Sequence, residues 1–311
     1  MYNKISLISP LVEVKLKKIY WNNVKFLKKF RPKKAIIPKT TVSWDEVICY
    51  LEQIGIKKGN LMILHSSYEA IWSSDLSPAE IIKSLRTLIG DEGTLAMPVF
   101  RRYKEDPPLE KAISTDLSKL VCTYNIQSSK IWTGVLPFFL TKEKDVIISR
   151  YPLNSMAAVG KLAAPMMADN IIEDNLPPCG KNSSWAFCLE NNAIIVGIGI
   201  DLCHSLTITH VATDLYMDEW PIKNWYRKRV FDIIDGNFSK RISVLEREYI
   251  WGCFYFAGLN FRKDLIDNNI LISKIIGGVV VEIVFSKKLI DFLRSKNQNG
   301  YPYHIPKKYF K

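Results

Sequence analysis

Residues 61–100 read LMILHSSYEAIWSSDLSPAEIIKSLRTLIGDEGTLAMPVF, and this stretch decides the fold. Residues 61–65 and 94–99 are short runs of the length of buried strands, bounded by turn-forming residues. Between them, Ser77 and Glu80 stand at capping-box spacing, Pro78 takes the favoured first helical position, and Gly90 stops the helix after Ile89. A strand, a helix and a second strand within this span predict a parallel pair joined by a right-handed crossover. Ligands gather at the C-terminal ends of such strands. His65-Ser66-Ser67 and Met97-Pro98-Val99-Phe100 are therefore expected as loop mouths able to bind a phosphate or a carbonyl group.

The same grammar extends outward. Ser43 and Glu46 repeat the capping spacing and predict a helix to about residue 54, closed by Gly55. A third buried strand is expected at 193–199, ending in Gly197-Ile198-Gly199 and leading to a helix over 206–216. Further strands are expected near 249–256 and 277–285, and a helix over 287–296. The fold class is α/β.

At 311 residues, 48% hydrophobic and 24% charged, the chain can bury a large core. Its longest apolar runs, 193–198 and 279–284, fall far short of the roughly 20 residues that span a bilayer. The formal charge of +12 is almost all N-terminal: residues 1–40 hold eleven Lys or Arg against one acid, Glu13. Only +2 remains for 41–311, and no DNA- or RNA-binding motif accompanies the basic segment, so nucleic acid is not expected as a partner. On a helical wheel over 12–30, Val12, Leu16, Ile19, Tyr20, Val24, Phe26, Leu27 and Phe30 oppose Lys15, Lys17, Lys18, Lys25, Lys28 and Lys29. This basic amphipathic helix is expected to dock on the protein body or on a second subunit, with contact to an anionic membrane surface as the other reading. Residues 31–39, containing Pro32 and Pro38, read as a linker. Six cysteines without a CxxC pair and four histidines imply neither a zinc site nor a disulfide framework. The N-terminus makes a poor signal peptide, so a cytoplasmic location, membrane-peripheral if the helix meets lipid, is expected.

His204 and His210 fall in one short segment behind the third strand. On a helix, His210 and Asp214 would lie one turn apart, where a carboxylate fixes the imidazole tautomer and raises its basicity. No GxSxG surrounds any serine, no P-loop occurs, and Gly197-Ile198-Gly199 lacks the third glycine of a dinucleotide fingerprint.

Five ordered blocks carry a resemblance. Leu61 to Ser67 is similar to a strand ending in His-Ser-Ser, and Gly90 to Phe100 to Gly-x-x-Gly-Thr-Leu-x-Met-Pro-Thr-Phe. Tyr124, Trp132 to Leu136 and Arg150 to Gly160 follow a stretch ending in Arg-Ser-x-His-Pro-x-x-Ser-Phe-Ala-Ala-x-Gly. Pro178 to Trp185 resembles Pro-x-Gly-x-x-Ser-Pro, and 194–199 with Thr207 to Asp214 resembles a Leu-Gly-Val strand followed by Thr-x-Leu-His-x-Ala-Glu. Together, over about residues 45–225, they resemble the aminoglycoside 3-N-acetyltransferase family of antibiotic-modifying enzymes.

The resemblance implies a sandwich of helices around a mixed central sheet, with residues 41–311 as the acyltransferase domain behind the 1–40 extension. It also implies acetyl-CoA as co-substrate, no metal, and a small-molecule amine as acceptor. By position, His210 corresponds to the base that deprotonates the attacking amine. His65, Ser66, Ser67, Pro98, Val99, Phe100, Asn154 and Ser155 fall on segments that line the coenzyme and acceptor sites, while Thr209, Thr213 and Asp218 are expected at the acceptor. Three positions depart from the family pattern. The Glu three residues after the histidine is Thr213, so the orienting acid is Asp214 or lies elsewhere; another family Glu is Phe138; and the Thr after Met-Pro is Val99. With 41–311 nearly balanced in charge, an amino sugar, including a nucleotide-linked one, is favoured over a polycationic aminoglycoside. The competing reading is a non-catalytic binding or scaffold protein that keeps the fold.

Overall fold

The capping signals act where their spacing places them. Ser43 Oγ accepts the Glu46 N–H at 3.4 Å and opens the Trp44–Gln53 helix. Ser77 and Glu80 form the full box, with Glu80 N–H on Ser77 Oγ at 3.3 Å and Ser77 N–H on Glu80 Oε2 at 2.8 Å, opening the Pro78–Ile89 helix. The computed structural model describes residues 2–27 and 42–311; the expected linker at 31–39 and the end of the expected N-terminal helix at 28–30 lie outside the described residues.

Twelve strands occur among the described residues: β1 (Leu61–Ser66), β2 (Thr94–Pro98), β3 (Arg101–Arg102), β4 (Val121–Asn125), β5 (Lys130–Ile131), β6 (Ile147–Ile148), β7 (Met156–Gly160), β8 (Ile194–Ile198), β9 (Tyr226–Asp235), β10 (Phe238–Arg247), β11 (Leu271–Ile276) and β12 (Val279–Phe285). Seven form a central mixed sheet in the order β11-β12-β8-β1-β2-β7-β6. Its middle is parallel, with Met62 opposite Ile194 and Leu61 opposite Thr94, while β12 and β7 flank it antiparallel. Strands β10-β9-β4 make a second sheet and β3-β5 a small ribbon.

Both faces of the central sheet are covered, which is why its strands read as continuous apolar runs. The two-residue period sends Met62, Leu64, Val196 and Ile198 toward the helices Trp44–Gln53 and Pro78–Ile89. It sends Leu61, Ile63 and Ile195 to the other side, against Trp185, Phe261 and Leu289. This is the expected sandwich around a mixed sheet. At one corner Gly160 allows β7 to meet the start of β2: a β-carbon there would stand 2.2 Å from the Gly93 carbonyl oxygen, at φ +113°.

Two local expectations fail. Residues 249–256 form a helix, Tyr249–Tyr255, and not a strand; the aromatic run fits either state, and Trp251 is held by stacking on Trp225 at 5.8 Å. The expected continuous helix over 206–216 is a 3-10 turn, Thr207–His210, followed by a single helical turn, Val211–Asp214.

The N-terminal segment is helical and docked, in part through the expected apolar side, where Val24 is buried, and in part through side chains the wheel did not place inward. Ser9 caps the Pro10–Asn22 helix, Asn23 interrupts it, and Val24–Leu27 adds one more turn. Glu13 is buried and accepts N–H groups from Leu259 (3.0 Å), Asn260 (3.1 Å) and the Asn260 side-chain amide (2.9 Å). The Gly258–Asp267 helix has no side-chain cap of its own, so Glu13 supplies one from a distant part of the chain. Lys17 Nζ donates to the Phe256 carbonyl at 2.7 Å. Ile19 and Phe26, expected on the inward face, are 58% and 61% exposed.

Candidate active site

The C-terminal ends of β1, β2 and β8 open into a cleft of about 1310 Å³. Gly199 makes the close passage of these ends feasible, since a β-carbon there would lie 2.5 Å from Ala70 Cβ, at φ +69°. Ser67 N–H binds the Ile198 carbonyl at 3.0 Å and ties the β1 exit to the β8 exit. Of the residues predicted for the site, His65, Ser66, Pro98, Phe100, Thr209, His210 and Thr213 line this cleft. The Tyr20, Trp21 and Val24 side chains of the N-terminal helices form part of another wall.

His210 ends the 3-10 turn and is half-buried against the cleft. Its pKa is pushed well below the ordinary imidazole value, first by burial and then by the Arg247 cation. Among the described residues, no carboxylate hydrogen-bonds its ring to raise its basicity. Asp214 turns inward instead, accepting the Cys179 N–H at 3.1 Å and the Tyr226 hydroxyl at 2.8 Å, with the Thr213 hydroxyl at 3.1 Å. No hydrogen bond joins Asp214 to the His210 ring among the described residues. Burial raises the Asp214 carboxyl to about 6, although Tyr226, Cys179 and Thr213 all favour its charged form. The reason for this geometry is local: a 3-10 turn followed by one short helical turn leaves Asp214 within reach of donors that hold it in the interior.

His65, on β1, is buried, and burial pushes its pKa down to about 4. Its Nε2 has no hydrogen-bond partner among the described residues. The remaining predicted residues stand behind or beside the cleft. Val99 is a core residue of the helix-covered layer. Ser155 is buried with its hydroxyl on the Val99 carbonyl at 2.9 Å, and the Asn154 carbonyl accepts the Trp185 indole N–H at 2.7 Å. Ser67 starts the short Tyr68–Ile71 helix, and Asp218 is exposed in the Met217–Glu219 turn.

Sequence reading missed the site's guanidinium groups. Arg247, from the end of β10, lines the cleft and donates to the Tyr303 hydroxyl; no carboxylate lies within ion-pairing distance of it among the described residues. A β-carbon at position 252 would stand 3.1 Å from Arg247 Nη2, so Gly252 leaves room for the guanidinium. Arg102 lies over Trp132 at the exposed lip, 5.6 Å from the ring centroid. Asp106, which also faces the cleft, is committed to the buried Arg229 at 2.6 Å. No local pattern marks Arg247; the Asp235-Gly236-Asn237 stretch is a turn signal that could have pointed to the hairpin that carries it.

The sequence profile of the aminoglycoside 3-N-acetyltransferases matches residues 63–295. Aminoglycoside N(3)-acetyltransferase IV of Salmonella sp is 27% identical over 160 residues, which is 50% of this chain and 54% of that protein. Aminoglycoside N(3)-acetyltransferase III of Serratia marcescens is 25% identical over 172 residues, 54% of this chain and 62% of that one. The matched region thus spans little more than half the length of these curated relatives. The solved structure of AAC-IIIb in binary complex with CoASH superposes with a TM-score of 0.67 at 18% identity, covering 84% of this chain and 98% of that one, and so shares the fold. With the profile spanning most of the chain, and with the expected histidine on the wall of the cleft, this protein belongs to the aminoglycoside 3-N-acetyltransferase family.

Proposed function

We propose that this protein transfers an acetyl group from acetyl-CoA to an amine of a sugar acceptor, an aminoglycoside or another amino sugar. One observation carries the reading: His210, which the resemblance aligns with the family's active-site base, lines the cleft, where burial and Arg247 disfavour its charged form. An ammonium ion is a poor nucleophile, and a neutral imidazole is the group that can take its proton as the amine attacks. Acetyl-CoA, when bound, supplies the activated acyl thioester.

The residues present fit such a co-substrate. His65 lines the cleft, and its Nε2 is a buried polar atom without a hydrogen-bond partner among the described residues, which a carbonyl or amide could satisfy only if it came close to the ring. Arg102, exposed at the lip, suits a phosphate. Phe100 and Pro98 offer apolar surface between them.

For the acceptor, Arg247 favours a second reading beside the aminoglycosides. A cleft-facing guanidinium without a carboxylate partner among the described residues suits an amino sugar that also carries an anionic group, as a nucleotide-linked one does.

The test is thiol release from acetyl-CoA with aminoglycosides and nucleotide-linked amino sugars as acceptors. His210→Ala is expected to lose roughly two to four decades of turnover while still binding acetyl-CoA. Near-wild-type turnover in that variant removes His210 from the mechanism. Silence with every acceptor, together with no coenzyme A binding by calorimetry, favours the non-catalytic reading.

A further inference from the structure

The docked N-terminal helix has a second face. Glu13, Val14 and Lys17 turn toward the protein, and the opposite side is left to solvent. Within the Pro10–Asn22 helix, Leu11, Lys15, Ile19 and Asn22 follow one another at helical spacing along that outer side. Leu11 is 61% exposed and Ile8, just before the helix, 73%. Ile5 and Leu7, before the helix, are also exposed, as is Phe26 past the Asn23 break. Lys4, Lys15 and Lys25 are exposed along the same segment. Glu13, the only acid of residues 1–40, is buried against the Gly258–Asp267 helix, so the outer face carries cations and apolar side chains and no carboxylate.

We propose that this outer face docks on anionic lipid bilayers. Exposed Leu, Ile and Phe enter the acyl boundary while the lysine ammonium groups stay at the anionic headgroups, a division of labour that interfacial helices use. A second copy of the chain fits less well, because a two-fold contact would set this lysine-bearing face against itself. Nucleic acid would pair with the lysines but leave the apolar groups uncovered. The same helices present Tyr20, Trp21 and Val24 to the cleft, so lipid contact would act on an element that walls the site. The proposal stands independently of the acetyl-transfer reading.

The test uses the full chain and sedimentation with vesicles of neutral phosphatidylcholine or with about 30% phosphatidylglycerol added. Binding is expected to the anionic vesicles, with little to the neutral ones, and to weaken with added salt. Lys15→Gln and Lys25→Gln should each weaken it by roughly fivefold. Leu11→Ser combined with Ile19→Ser should abolish it, while hydrogen exchange over residues 10–22 keeps its protection. Equal binding to both vesicle types, or to neither, overturns the proposal. So does light scattering that shows a wild-type dimer falling to a monomer in the Leu11/Ile19 variant, which assigns the face to a second copy. Should the double serine variant lose its fold, Lys15→Glu with Lys25→Glu carries the same test, and unchanged binding to anionic vesicles overturns the proposal.

Discussion

Replacing Glu13 with Ala tests how the N-terminal segment is held. Its carboxylate accepts three N–H groups, two from the backbone at the first turn of the Gly258–Asp267 helix and one from the Asn260 side chain, at 2.9–3.1 Å. Hydrogen bonds to a charged group contribute about 1.5–3 kcal/mol each, and a helix cap about 1 kcal/mol. These terms overlap, and water reaches the freed donors if the segment lifts. The expected net loss is therefore about 3 kcal/mol in the docking equilibrium, a factor of roughly one hundred. The remaining anchors are the burial of Val14 and Val24, the Lys17 bond to the Phe256 carbonyl, and the Asn260 amide on the Ser6 carbonyl at 2.9 Å. Hydrogen exchange over residues 10–22 should accelerate by about two decades, while the central sheet keeps its protection. Glu13→Gln, which keeps one acceptor oxygen, should fall between. Because Tyr20, Trp21 and Val24 face the cleft, KM for acceptor or acetyl-CoA should rise in the alanine variant. Unchanged protection over 10–22 would refute the assignment of Glu13 as the anchor.

Arg247 disfavours the imidazolium form of His210, so removing the charge raises the His210 pKa. Arg247→Met should then move the acid limb of the kcat/KM profile to higher pH, whereas a limb that stays in place would show that another group sets it. Asp214 has a folded-state pKa of about 6, above the ordinary carboxylate value; its contribution to stability is therefore present at low pH and lost as pH rises through about 6. Asp214→Asn should flatten the change in unfolding free energy, measured by urea titration, between pH 4.5 and 7.5 by about 2 kcal/mol, and identical slopes in the two proteins would contradict the buried-carboxyl account. Gly160→Ala would push a β-carbon to 2.2 Å from the Gly93 carbonyl oxygen at a positive φ, so a loss of roughly 3 kcal/mol or more in urea unfolding is expected. A melting temperature within a degree of wild type would mean the β7–β2 corner shifts freely.

The parallel core was legible because each of its signals is local. Ser77, Glu80, Pro78 and Gly90 bound a helix within a few residues, and strands buried on both faces carry the uninterrupted apolar runs seen at Met62–Leu64 and Ile194–Ile198. The β9–β10 hairpin was hidden because Arg227 and Arg229, buried by ion pairs to Glu246 and Asp106, stand where an apolar alternation would have revealed a strand. The aromatic run at 249–256 was misread because Trp and Tyr are as much at home in strands as in this helix. The spacing of His210 and Asp214 marked the histidine only weakly, and its expected role came from family resemblance.

By itself, then, the sequence determined strands β1, β2, β8 and β12 of the central sheet with the helices Trp44–Gln53 and Pro78–Ile89, the confinement of positive charge to the first forty residues, and the histidine to examine. These follow from spacing and composition over short distances. Tertiary structure alone decided the electrostatic surroundings of that histidine and the face on which the N-terminal helix docks. Arg247 reaches His210 by way of a hairpin, Asp214 is drawn to Cys179 and Tyr226, and Glu13 meets donors 246 residues along the chain. A buried charge goes where unpaired partners exist, and those partners are assembled only when distant segments meet.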